Sequence, residues 1–103
     1  MMKIKTSELT GAQLDWAVAQ CEYVSVRYGF DDNCPEYSID WSQGGPIIER
    51  EKITLEWTGE NWMAYIRHDE EFFGTTPLVA AMRCYVAVNC YPLIEVPDEL
   101  KGE

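Results

Sequence analysis

The chain has 103 residues, 47% of them hydrophobic and 13% aromatic, with 18 acidic and 8 basic side chains for a net charge of −10. That length supports one core and one domain over residues 1–103, and the composition belongs to a folding chain. The charge repels nucleic acid and anionic membranes, so direct DNA binding is excluded, and no apolar run approaches the roughly 18 residues of a membrane span.

Residues 9–21 predict the first helix: Thr10 is a candidate N-cap, Gln13 stands at the capping-box position and Leu9 can pack on Leu14. Leu14, Ala17, Val18 and Cys21 form one stripe, while Ala12, Trp16, Ala19 and Tyr23 lie near the opposite side. Two apolar sides leave two readings. Trp16 is covered by a loop of the same chain, or Trp16 and Tyr23 mark a homodimer or partner interface, where aromatic residues are enriched. Residues 23–28 alternate Val24 and Val26 with Ser25 and Arg27, the pattern of a strand, and residues 37–41 suggest a short further one.

Residues 40–50, DWSQGGPIIER, read as a deliberately shaped turn. Gly44 and Gly45 admit backbone angles closed to other residues, Pro46 fixes φ, and Ile47 and Ile48 then enter the core. Residues 53–57 and 62–66 predict a β-hairpin closed by four residues, with Trp57 opposite Trp62, Leu55 opposite Ala64 and Ile53 opposite Ile66. Its apolar face covers the core, and Thr54, Glu56, Met63 and Tyr65 share the other. Asp69, Glu70 and Glu71 read as a solvated acidic loop, since consecutive residues on an extended segment cannot converge on a metal ion. Thr76 as N-cap and Pro77 at the first position open a last helix that runs to about Cys90, and its surface is apolar nearly all round.

The signature at 40–50, with KIKTSELT at 3–10, LDWAVA at 14–19 and TPLVAAMRCY at 76–85, resembles the phage NinX family, small proteins of tailed bacteriophages and prophages often encoded among accessory genes. The resemblance implies a setting, the cytoplasm of an infected host, and brings no catalytic residue with it.

The residues themselves offer little enzyme chemistry. There is no phosphate loop, nucleophile elbow or His-Glu-x-x-His, and His68 is the only histidine. Cys21, Cys84 and Cys90 stand in apolar surroundings without zinc-ligand spacing, so free thiols are expected, with no metal and no cofactor. The expected architecture is an α+β domain: a small, mainly antiparallel sheet with a central β-hairpin, packed by an N-terminal and a C-terminal helix. The expected function is a non-enzymatic phage accessory protein that binds a host molecule during infection, countering antiviral defence or adjusting host metabolism.

Three forms of that function are open. The first is inhibition of a host protein through acidic or aromatic surface, with Trp16, Tyr23, Asp69, Glu70 and Glu71 as interface candidates. The second is sequestration of a small nucleotide by Trp41, Gln43, Gly44, Gly45, Arg50 and Arg83, which would supply stacking, backbone donors and two guanidinium groups. The third is imitation of DNA by the acidic residues. Arg50 and Arg83 also have a plainer reading, each paired with an internal carboxylate.

Overall fold

A computed structural model describes residues 2–22, 34–67, 70–89, 93–97 and 100. In chain order these form β1 (Met2–Lys5), a 3-10 turn (Thr6–Glu8), α1 (Gly11–Cys21), α2 (Trp41–Glu51), β2 (Thr54–Trp57), β3 (Trp62–Tyr65), β4 (Glu71–Gly74), α3 (Pro77–Asn89) and β5 (Leu93–Val96). The class is α+β, with both sheets antiparallel: a two-stranded β1-β5 ribbon and a three-stranded sheet ordered β2-β3-β4.

The hairpin has the register expected from its loop length, with Trp57 opposite Trp62 and Leu55 opposite Ala64. Thr58 and Asn61 close the loop, the Thr58 N–H donating to the Asn61 carbonyl at 2.9 Å, and Gly59 supplies the positive φ of 102°. The two tryptophan rings lie 5.5 Å apart and tilted by 57°. Burial falls toward the loop: Ala64 is fully enclosed, Leu55 and Trp62 are half-buried, and Trp57 is exposed. The apolar face therefore covers the core only over its inner half.

β4, not expected from the sequence, joins the hairpin as its third strand, Phe72 opposite Ala64 and Glu71 opposite Tyr65. Glu71 is accordingly a strand residue with its side chain exposed, while Glu70 is exposed just before it. The strand expected over residues 23–28 lies outside the described residues. The one expected over 37–41 is not formed, because residues 37–39 turn and Asp40 caps a helix.

That helix is the principal correction to the sequence reading. Residues 41–51, Gly44, Gly45 and Pro46 included, form α2 and not a turn. The Asp40 carboxylate accepts the Ser42 N–H at 2.9 Å, and the Gln43 and Gly44 N–H groups donate to the Asp40 carbonyl. Gly44 permits close packing: a Cβ there would stand 2.4 Å from the Tyr37 carbonyl oxygen and 2.7 Å from Leu78 of α3. Ile47 is buried on the same side.

α3 is the hub of the domain. It packs on all three strands of the larger sheet and against both other helices, which explains a surface that is apolar nearly all round. Thr76 Oγ1 accepts the Val79 N–H at 3.1 Å, the cap expected from the sequence. At Gly74 the sheet approaches so closely that a Cβ would meet the Ala80 nitrogen at 2.6 Å.

α1 is enclosed from Gln13 to Ala19. Trp16 belongs to the core and is only 8% exposed, in keeping with the reading in which the chain itself covers it. The Trp16 indole Nε1 has no acceptor among the described residues. The capping box is also absent: the Thr10 side chain makes no cap bond, and Gln13 is buried with its Nε2 donating to the Leu100 carbonyl at 3.4 Å.

Candidate ligand-binding site

Arg50 and Arg83, alike in the sequence, have different surroundings. Arg50 closes α2 and is paired with two carboxylates. Its Nη1 and Nη2 donate to the two Glu22 oxygens at 3.1 and 2.6 Å, and its Nε donates to Glu51 at 2.8 Å. The guanidinium also lies 5.7 Å from the Tyr85 ring centroid, and the Tyr85 hydroxyl donates to Glu22. Its hydrogen bonds from Arg50 hold the Glu22 carboxyl below the usual range, while burial and the bond to Glu22 push the Tyr85 phenol up. This cluster joins the C-terminal ends of α1 and α2 to α3, the paired and structural reading of Arg50.

Arg83 has no such partner. Its Nε donates to the Leu9 carbonyl at 2.9 Å and its Nη1 to the Phe73 carbonyl at 2.7 Å, tying the approach to α1 to the end of β4. Among the described residues no carboxylate forms an ion pair with it, and burial alone depresses its pKa. The expectation of an internal carboxylate partner is not met for Arg83.

Arg83 lines a cavity of about 560 Å³ between the N-terminal ends of α1 and α3. Thr10, Gly11 and Ala12 contribute the start of α1; Thr75, Thr76 and Val79 contribute the start of α3. Both helix ends carry partial positive charge. Asp15, Glu36, Ser38 and Ile39 complete the lining. Asp15 is buried, its Oδ1 accepting the Ser38 N–H at 2.8 Å; burial, the largest influence, pushes its pKa up, bonds to Ser38 oppose this, and nearby Glu36 adds to the rise.

A second cavity of about 540 Å³ is lined by Arg50, Lys52 and Arg67, by Glu51 and Glu70, and by apolar residues including Phe72 and Val88. It lies by the C-terminal ends of α2 and α3, where helix dipoles themselves favour cations, and of its basic residues Arg50 is already paired with Glu22 and Glu51.

The six expected ligand residues are not assembled as one pocket. Trp41, Gln43, Gly44 and Gly45 line neither cavity, while Arg50 lines one and Arg83 the other. The N–H groups of Gln43 and Gly44 are used inside α2, and Arg50 stands roughly 13 Å further along the axis from Trp41 at about 1.5 Å per residue. Of the expected interface residues, Trp16 is core, Glu70 and Glu71 are exposed, and Tyr23 and Asp69 lie outside the described residues. The sequence reading overlooked Asp15, Glu36, Ser38, Ile39, Thr75 and Thr76. A carboxylate on the apolar helix at Asp15 was the available signal.

Among the described residues no helix is long and apolar enough to cross a membrane, and no three His, Cys, Asp or Glu side chains gather to hold a metal ion. Cys84 is buried, its thiol pushed up to about 11 first by burial and then by Glu70. The family described as Bacteriophage P22, NinX matches residues 27–89, more than half of the chain, and the protein belongs to that family of phage accessory proteins. No curated protein matches it.

Proposed function

We propose that this phage protein is non-enzymatic and acts in the host cytoplasm by binding a host protein during infection, in the service of countering antiviral defence. The observation that supports the reading is an exposed apolar pair at the start of α2. Ile39 is 67% exposed and Trp41 is 54% exposed, on either side of the cap residue Asp40. Single exposed apolar residues are ordinary, but two large ones side by side, with Glu36 and Asp40 as acidic neighbours, have the composition of an interface core and rim.

The test is quantitative affinity capture from host lysate with wild type and an Ile39→Ser, Trp41→Ala double variant. Both side chains are largely in solvent, so the variant should keep the wild-type melting temperature. Loss of an aromatic anchor at an interface centre costs about 2 kcal/mol or more, so a genuine partner should fall by at least about tenfold. Identical sets of captured proteins at equal abundance would remove this reading.

A further inference from the structure

We propose that the cavity between the starts of α1 and α3 is a binding site for a nucleotide-sized bipolar ligand, with a phosphate held at its Arg83 end and base N–H donors received at its Asp15–Glu36 end. The site shares Ile39 with the exposed Ile39–Trp41 pair, but Trp41 does not line it and its charged groups are separate from that pair.

The cationic end comes from Arg83. In a chain with 18 acidic residues, this half-buried guanidinium forms no ion pair among the described residues and spends Nε and Nη1 on two main-chain carbonyls. Those two bonds orient the planar group, and Nη2 has no acceptor among the described residues. An oxyanion supplies the missing countercharge. The starts of α1 and α3 line the same cavity, and the field at both helix N-termini adds to that of Arg83.

The acidic end comes from Asp15 and Glu36, which are not paired with Arg83. The Ser38 N–H fixes the Asp15 carboxylate. A ligand anionic throughout is repelled there, and one cationic throughout is repelled by Arg83. Phosphate at one end and amino or imino hydrogens at the other satisfy both, and about 560 Å³ lies within the size range of small-molecule pockets. Ile39 and Val79 supply apolar wall to the same cavity.

The experiment is isothermal titration of the intact protein with adenosine, guanosine, cytidine and uridine monophosphates, with inorganic phosphate and adenosine as partial probes. At least one monophosphate should bind more tightly than either partial probe, and raised salt should weaken it. Ala12→Glu is the decisive variant: Ala12 is exposed in the first turn of α1, where an acidic residue suits the helix, and the substitution leaves both Arg83 carbonyl bonds in place. It should keep its melting temperature and lose about tenfold or more in affinity. Arg83→Gln should lose at least as much, with its own unfolding curve reporting any loss of fold. Failure of all four monophosphates to bind wild type, absence of any monophosphate that binds more tightly than both inorganic phosphate and adenosine, or undiminished affinity in Ala12→Glu would each overturn the proposal.

Discussion

Alanine at Gly44 and alanine at Gly45 should change stability in opposite directions, although the two glycines are adjacent in one helix. Both replacements gain about 1 kcal/mol of intrinsic helix preference, because glycine loses more backbone freedom than alanine on folding. At Gly45 the new methyl meets only the Trp41 ring edge at 3.7 Å, an ordinary contact, so most of that gain should survive. At Gly44 it stands 2.4 Å from the Tyr37 carbonyl oxygen. Leu78 can move its tip aside, but the carbonyl is main chain, within a turn closed by the Ile39 and Asp40 N–H groups on the Glu36 carbonyl. α2 must therefore shift outward, and forcing an extra carbon into a packed contact costs about 1–3 kcal/mol or more. The expected net effects are a gain of about 0.5–1 kcal/mol for Gly45→Ala and a loss of about 1–2 kcal/mol for Gly44→Ala, at roughly 4–8 °C in Tm per kcal/mol for a domain of this size. Urea and thermal unfolding measure both. Destabilisation by both variants would refute the helix and restore a glycine turn with positive φ; stabilisation by both would refute the close approach to Tyr37.

Two further outcomes follow from local geometry. Glu22→Gln should lower stability by about 1 kcal/mol near neutral pH, since the pair with Arg50 is partly solvated. The Glu22 pKa is lowered on folding, so its contribution is present above the ordinary value of 4.5 and lost as pH falls through the folded-state value; wild type and variant should converge in acid. A gap that widened on acidification would contradict the assignment. Lys52→Gly should stabilise the domain by about 1 kcal/mol, because Lys52 ends α2 at φ 57° and ψ 46°, where glycine has no Cβ penalty, and an unchanged urea midpoint would count against that conformation.

The features legible in the chain alone were those set by near neighbours. A four-residue loop between two alternating segments leaves one register that buries Ala64 and pairs the tryptophans, and Thr76-Pro77 before an apolar run can only begin a helix. The family signature was likewise legible in residues 40–50. The conformation of those residues was not, because two glycines and a proline weigh against a helix by a few kcal/mol in local preference. Tertiary contacts reversed it: Asp40 caps the helix, Gly44 lets it reach Tyr37 and Leu78, and Ile47 enters the core. The pairing of β1 with β5 joins the two ends of the chain, and no local pattern announces it. The two arginines follow the same division. Their charge is written in the sequence, but Glu22, Tyr85, Leu9 and Phe73 are distant along the chain. Only folding made Arg50 a carboxylate-paired structural cation and left Arg83 facing a cavity without a carboxylate partner among the described residues.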